Sequence, residues 1–372
     1  MKKLFLSTLV LLTISVLLTS WGNAGHKKIS ESAALSYNQQ MQDFNSWTDF
    51  LRDHAPDADG RKSGDKTEGP KHYIDIDNYS EFTSTGRIPQ TLDSVTNLYG
   101  TTYVINQGIL PWATRASFDS LRNCLQRHDF GKAKVFAADL GHYVADGHMP
   151  LHITKNYDGG DTGQKGIHSR YESKMIDAKI SQIVYDGEDA TEISNVSQYI
   201  FDYIYKNNTY CDSILNADRY AKSLAASTSG TIYTNALWDK TNSLTISLFQ
   251  RASHALASLI YTAWLQAGSP SIFITGIEDP AALEVAELDQ NMPNPFTSAS
   301  HISYTLKENT DVLLEVRDIN GKIISTLVNE SLSKGSYTAD WNPENITAGL
   351  YYLVLHTGKY IQVKKMVYTG RI

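Results

Sequence analysis

The sequence has little of several features that would assign it quickly to a class. It contains two cysteines, Cys124 and Cys211, in 372 residues. A disulfide-rich scaffold is therefore excluded, although export would permit one bridge between them. Lys and Arg number 33 against 40 Asp and Glu, a net charge of −7, which argues against a protein that grips duplex nucleic acid through a basic surface. The His-Glu-x-x-His motif of zinc proteases is also missing.

A single apolar run stands out, and it lies at the N-terminus. Lys2 and Lys3 precede the apolar segment 4–18, and Ser20 supplies a small residue for cleavage. This pattern predicts a signal peptide over residues 1–20. The run is shorter than the about 20 residues that a membrane span requires, and no later segment approaches that length. We therefore expect an exported chain with no integral membrane span.

The remaining sequence changes its periodicity once. From about residue 27 to 268, apolar residues recur at three- and four-residue intervals, as in Thr114–Arg127 and Ala133–Tyr143, which predicts helices. After about Glu278, short alternating runs separated by turn residues predict six or seven strands of a small antiparallel sandwich. The predicted strands are His301–Leu306, Asp311–Asp318, Lys322–Val328, Ser336–Trp341, Gly349–His356 and Tyr360–Tyr368.

These features predict a mainly α domain followed by a small all-β antiparallel sandwich. The predicted division is a signal peptide at 1–20, a helical domain at 21–268, a linker at 269–285 and the sandwich at 286–372.

Histidines and carboxylates alternate in the helical part, and eight of the 11 histidines lie in the first half of the chain. His142 and Asp146 are four residues apart, as are His168 and Glu172, so each pair shares one face of a helix. Together with His152 they offer mixed nitrogen and oxygen ligands, which suit zinc. The alternative is two surface ion pairs with little energetic consequence.

The predicted cleavage site would also create a possible metal ligand at the new N-terminus. Cleavage after Ser20 makes Trp21 the first residue, and His26 follows five positions later. The free α-amino group and the carbonyl of Trp21 can chelate a metal ion in a five-membered ring, and His26 is close enough to complete the site. The alternative is that Trp21 serves as an apolar anchor alone.

Four motifs occur in order along the helical part. They are Trp21-Gly-x-x-Gly-His26, Pro70-Lys71-His72-Tyr73-Ile74-Asp75, His142-x-x-x-Asp146 with His152 six residues later, and His168-x-x-x-Glu172. Together they resemble the superfamily of zinc-dependent phospholipase C and the fungal and plant single-strand nucleases. The resemblance covers about residues 21–268. It implies the mainly helical fold of that superfamily, with three bound zinc ions.

The resemblance also implies the ligands. One zinc ion would take an aspartate of Asp57-Ala58-Asp59, His72, His142 and Asp146; a second would take His152, His168 and Glu172; a third would take Trp21, His26 and a bridging Asp146. Asp57 is the preferred loop ligand, with Asp59 left open. Asp57 and Asp146 are the expected catalytic residues, since the loop aspartate can orient the attacking water or accept its proton. Tyr73 and Asp75 are expected to bind substrate.

The implied activity is that of a secreted zinc-dependent phosphodiesterase. Glu172 at the end of its motif is similar to the bacterial phospholipase C branch and favours a phospholipid substrate. The spacing from Trp21 to His26 is similar to the nuclease branch, so a single-strand nuclease or 3′-nucleotidase, acting on single-stranded nucleic acid or nucleotides, is the alternative. A zinc-stabilised surface binding protein, or a structural or adhesive protein without metal, is an alternative of another class.

The C-terminal part carries its own motifs, which are Asn291–Phe296, Ile346–Tyr352 and Lys364–Tyr368. Their order and spacing resemble the C-terminal sorting domain of the Por (type IX) secretion system of Bacteroidetes. The resemblance covers about residues 286–372 and implies passage through the periplasm and across the outer membrane by that machinery. The product would be secreted or held at the cell surface. A carbohydrate- or protein-binding sandwich is the alternative.

Overall fold

The computed structural model describes residues 21–272 and 285–370, except 320, 345 and 359. The predicted signal peptide and most of the predicted linker lie outside these residues. Helices predominate in the first described range and antiparallel strands make up most of the second, which confirms the predicted fold class. The exact domain boundaries stay a prediction.

The helical part consists of α-helices joined by short 3₁₀ turns. The α-helices are α1 (Gly22–Ser32), α2 (Thr48–His54), α3 (Asp57–Arg61), α4 (Ser80–Thr85), α5 (Leu92–Tyr99), α6 (Thr101–Asn106), α7 (Leu110–Gln126), α8 (Phe130–Gly147), α9 (Ile167–Ser169), α10 (Ile176–Lys179), α11 (Val196–Asn208), α12 (Cys211–Leu224) and α13 (Thr231–Gln266). The 3₁₀ segments are Ala33–Ser36, Gln39–Trp47, Gly69–His72, Ile76–Asn78, Pro150–His152, Gly160–Thr162 and Ile180–Gln182, and Arg170–Met175 between α9 and α10 is π-helical. The two predicted helical stretches fall within α7 and α8, apart from one residue at the end of α7.

Helix α8 lies at the centre of this part and packs against α1, α7 and α13. Its N-terminus is capped by Asp129, whose carboxylate accepts a hydrogen bond from the Lys132 amide at 3.2 Å. Its last two turns, 140–147, are buried on every side. Gly141 permits this, because a Cβ there would lie 3.0 Å from both the Leu256 side chain of α13 and the Ser30 hydroxyl of α1. Polar residues in these turns are therefore held inside the protein.

The strands form two antiparallel sheets. They are β1 (Ala286–Leu288), β2 (Ser300–Leu306), β3 (Thr310–Arg317), β4 (Ile323–Leu332), β5 (Gly335–Trp341), β6 (Gly349–Thr357) and β7 (Tyr360–Tyr368). One sheet has the order β1-β2-β5 and the other β4-β3-β6-β7. The six predicted strands correspond to β2–β7 with shifts of one residue at most ends and an extension of β4, and β1 is an addition.

Alternation along the strands builds the core between the sheets. Ile302 and Trp341 from one sheet and Leu314 and Leu353 from the other are buried in one apolar cluster. On β3, Arg317 bonds Glu315 of the same strand and also the Asp43 carboxylate of the 3₁₀ segment Gln39–Trp47, at 2.5 Å. This buried ion pair joins the sandwich to the helical part.

Cys124 and Cys211 are both buried and are not bonded to each other. The Cys211 thiol donates instead to the Pro150 carbonyl at 3.1 Å. Within residues 21–272 and 285–370, none of the helices combines the length and the apolarity that crossing a bilayer requires.

Candidate metal centre

Buried histidines and carboxylates lie close together in the helical part. They come from α1, α3, α8 and α9, from the 3₁₀ segments Gly69–His72 and Pro150–His152 and from the π-helical segment Arg170–Met175. Within the part of the chain that the structure describes, three groups bring their ligand atoms within 4.8 Å of one another. These groups are His26, His142 and Asp146; Asp59, His72 and His142; and His152, His168 and Glu172. His142 belongs to two of the groups, so the first two are continuous.

Asp146 links the groups because four histidines surround its carboxylate. Oδ2 lies 3.0 Å from His72 Nδ1 and 3.3 Å from His142 Nε2. Oδ1 lies 3.6 Å from His26 Nε2 and 3.5 Å from His152 Nδ1. Asp146 and His142 share the inner face of α8, as their four-residue spacing predicts. The remaining histidines come from other elements.

Backbone carbonyls fix the tautomer of two rings. His142 Nδ1 donates to the Ala55 carbonyl at 2.7 Å, and His152 Nδ1 donates to the His72 carbonyl at 2.7 Å. A carbonyl oxygen can only accept, so Nδ1 carries the proton in both rings. The Nε2 lone pairs then face the carboxylates of their groups, which is the orientation that metal-bound histidines adopt.

The third group is built on an irregular helix. His168 lies in α9 and Glu172 in the π-helical turn that follows, with Glu172 3.3 Å from His168 Nδ1 and 3.2 Å from His152 Nε2. Such π-turns are frequently found at functional sites. The buried Arg170 between them donates to Asp218 at 2.9 Å and to the Lys165 carbonyl at 2.9 Å, which fastens the start of this helix to its neighbours.

The two loop aspartates, by contrast, lie on opposite sides of α3. Asp59 has 6% of its side chain exposed and lies 3.5 Å from His72 Nδ1 and 3.7 Å from His142 Nε2. Asp57 is 54% exposed and pairs with His54 on the surface. Residues two apart on a helix are about 200° apart, so both cannot face one site. The preference for Asp57 does not fit this geometry, and Asp59 takes its place in the group.

Trp21 lies against the third group. Its side chain is fully buried, its indole nitrogen donates to the Ala145 carbonyl at 2.6 Å, and its backbone nitrogen lies 3.2 Å from Glu172 Oε2. His26, one and a half turns further along α1, stacks on His142 with ring centroids 3.9 Å apart. The structure thus brings both ends of the first motif to the cluster, while the chelate by Trp21 stays a prediction.

The protonation states of three of these histidines suit a bound cation. Burial lowers the pKa of His26 to about 3 and also lowers the pKa of His152 and His168, so these rings are neutral near pH 7 and able to bind a metal ion. Burial raises the pKa of Glu172 to about 8, as expected for a carboxylate that lacks compensating positive charge.

Three buried polar atoms at the cluster have no hydrogen-bond partner among the described residues. They are Asp59 Oδ2, His72 Nε2 and His168 Nδ1. Buried polar atoms normally have partners, and those of Asp59 and His168 can be satisfied by a metal ion. Imidazole and carboxylate donors in these proportions fit zinc.

The expected substrate residues lie beside the cluster. The Ile74 amide donates to the His152 carbonyl at 2.8 Å, which places the flanking Tyr73 and Asp75 next to the third group. Both are partly exposed. Burial, with a smaller effect of Asp77, raises the pKa of Asp75 to about 6.

The sequence did not indicate three further residues. Tyr157 is exposed and sets its ring edge-on against His168, with centroids 5.6 Å apart. Lys62, one turn after Asp59, brings its ammonium group to 2.6 Å from Asp59 Oδ1. Glu68 is buried 3.4 Å from His72 Nε2. Lys62 follows Asp59 by three residues and Glu68 precedes His72 by four, and these spacings in the sequence could have indicated both residues.

Comparison with known proteins identifies the C-terminal segment. Residues 292–369 match the family model described as secretion system C-terminal sorting domain. No curated protein matches the chain. Among solved structures, the chain is similar to the alpha toxin from Clostridium absonum, with 10% identity and a TM-score of 0.43 over 94% of this chain and 97% of that one. It is also similar to the Clostridium perfringens alpha-toxin isolated from avian strain SWCP, with 10% identity and a TM-score of 0.44 over 94% of this chain and 95% of that one.

The family match confirms the predicted sorting domain, which covers β2 to β7. It indicates export through the type IX secretion machinery, to the medium or to the cell surface.

The positions of Asp57 and Asp59 make a first prediction. Asp59→Asn is expected to lower zinc affinity about 10–100-fold at one site, because it removes a buried charged ligand. Asp57→Asn, an isosteric change two residues away on the exposed face, should leave zinc binding unchanged. Metal analysis after dialysis, with chelator competition, measures both. A loss in Asp57→Asn with none in Asp59→Asn would contradict the placement.

Proposed function

We propose that the chain is an exported zinc-dependent phosphodiesterase, with the reaction at the cluster around Asp146. The observation that carries this proposal is the convergence of three ligand groups, two of which share His142, on one buried carboxylate. A structural zinc site needs four ligands around one ion. Ligand groups in contact with one another are instead typical of sites that hold several ions for phosphoryl chemistry.

The residues that would hold the zinc ions are Asp59, His72, His142 and Asp146 for one, His152, His168 and Glu172 for another, and Trp21, His26 and Asp146 for a third. When bound, such ions make a water nucleophilic near neutral pH and offset the negative charge that grows on phosphorus.

The chain's own groups supply the remaining functions. Asp59 has one carboxylate oxygen without a hydrogen-bond partner among the described residues, so it can orient the attacking water or accept its proton. Lys62 places a positive charge beside it and can bind a phosphate oxygen. These two residues would hold the phosphate and the nucleophile together on the side of α3.

Tyr73, Asp75 and Tyr157 would bind the substrate outside the cluster. Aromatic faces beside a carboxylate suit the quaternary ammonium of a choline head group, which favours a phospholipid. The same residues can stack on an unpaired base and bond its edge, so a single-strand nuclease or 3′-nucleotidase is the second candidate. Both classes would act on a phosphoester at the same metal centre, and these three residues would help to distinguish their substrates.

The proposed activity is tested by comparing substrates. The zinc-loaded protein that begins at Trp21 should hydrolyse phosphatidylcholine, and a chelator should abolish the activity. Single-stranded DNA and RNA are assayed in parallel. Cleavage of nucleic acid alone would assign the second candidate. Zinc binding without hydrolysis of any of the three would contradict the enzyme and favour a zinc-stabilised binding protein.

The central position of Asp146 makes a further prediction. Asp146→Asn is expected to lower the hydrolysis rate roughly 100-fold or more, because it removes charge from a carboxylate within reach of four histidines. His26→Ala should cost less, since His26 would contact one zinc ion whereas Asp146 would contact two. The rates are measured at saturating zinc for both variants. Equal, mild losses would argue against a bridging role for Asp146.

The N-terminal ligand is tested by a single extra residue. A protein with one residue before Trp21 should lose most of its activity and one zinc ion, because the α-amino group becomes a peptide nitrogen that cannot bind metal. Proteolytic removal of that residue should restore both. Full activity and zinc content in the extended protein would show that Trp21 is only an apolar anchor.

A further inference from the structure

His72 turns its two ring nitrogens to different surroundings. Nδ1 faces the cluster, 3.0 Å from Asp146 Oδ2, 3.5 Å from Asp59 Oδ1 and 2.9 Å from His142 Nε2. Nε2 points to Glu68, whose Oε1 lies 3.4 Å away. Nδ1 is therefore the atom that would bind a metal ion, and Nε2 is the atom that must then carry the proton.

That proton needs an acceptor. Nε2 of His72 is buried and has no geometrically good hydrogen bond with the described residues. An unsatisfied buried N–H costs about 1–3 kcal/mol, so the ring is best held by a nearby acceptor. The Glu68 carboxylate is itself buried and lies at ion-pair distance.

Glu68 is fixed by groups on its other side. The Tyr143 hydroxyl donates to Oε1, the Lys71 ammonium lies 2.8 Å from Oε2, and the Arg61 guanidinium lies 3.4 Å from Oε1. Two cations and a hydroxyl hold the carboxylate ionised and in one orientation. A side chain held this firmly is suited to orient another group.

The sequence places these residues by short-range geometry. Glu68 precedes the 3₁₀ segment Gly69–His72, so it reaches His72 across one turn. Tyr143 directly follows His142 on α8. The same helix therefore supplies one ligand of the cluster and the hydroxyl that holds Glu68 beside another.

We propose that Glu68 is a positioning residue, which accepts the Nε2 proton of His72 and thereby fixes the ring with Nδ1 directed at the zinc ion. Carboxylate–histidine pairs of this kind orient the ring and raise its basicity, and their loss costs about 10–100-fold in metal affinity. This inference rests on the proposed metal site but not on the identity of the substrate.

The test measures zinc binding and not turnover. The metal-free protein that begins at Trp21 is titrated with zinc against a chromophoric chelator, and its thermal unfolding is followed without metal. Glu68→Gln is expected to weaken one binding step about 10–100-fold and to leave the others unchanged. Glu68→Asp should recover part of the affinity, since it keeps the charge.

Two variants separate this role from general stability. Asp139→Asn is the matched control, because Asp139 bonds Arg61 at 2.9 Å as part of the same network but lies outside the three ligand groups. It should bind zinc like the wild type. Tyr143→Phe keeps the ring but removes one of the three groups that hold Glu68, and it should weaken the same step as Glu68→Gln by a smaller factor.

Three outcomes would overturn the inference. Unchanged zinc affinities in Glu68→Gln would show that His72 does not depend on Glu68. An equal weakening of every step, together with earlier unfolding of the metal-free variant, would make Glu68 merely structural. Absence of zinc binding by the wild type would overturn the proposed function itself, and with it the inference.

Discussion

The burial of the Asp146 carboxylate is the constraint on which the arrangement of the helical part depends. A charged group inside a protein must be paired, or it loses several kcal/mol of solvation. Four imidazoles surround it. Burial alone would raise the pKa of Asp146, but the surrounding imidazoles, His142 above all, together outweigh burial and hold that pKa well below its usual value. The elements that carry these four histidines must therefore come together at the last turn of α8.

The parts of this arrangement that follow from local geometry could be predicted. His142 and Asp146, like His168 and Glu172, meet because residues four apart share a helix face, and no tertiary information is needed to see this. Strand β2 was equally accessible, because apolar and polar residues alternate along His301–Leu306, as expected for a strand with one buried face. Its burial follows the same alternation.

Other parts depend on contacts that the sequence does not encode locally. Asp57 and Asp59 differ only in the phase of a five-residue helix, and that phase is set by packing of Ala58 and Asp59 against the interior. Glu68 lies in a polar loop, where a carboxylate is normally solvated, and becomes buried only because Tyr143 and His72 come from elsewhere to meet it. The pairing of Arg317 with Asp43 spans 274 residues and has no periodic signature.

An acidic chain must obtain positive charge for an anionic substrate from the site itself. With a net charge of −7, long-range attraction of the proposed phosphate-containing substrate is unfavourable, so its attraction to the site would have to be local. Lys62 provides one such charge within 2.6 Å of Asp59, and bound zinc ions would provide the remainder. The proposed chelate by Trp21 would also depend on processing, because the lone pair of a peptide nitrogen is delocalised into its carbonyl group and is not available to a metal ion, whereas a free α-amino group has one. Under that proposal, a chain whose leader is still attached would hold an incomplete site, and full hydrolytic activity would arise only after the leader is removed.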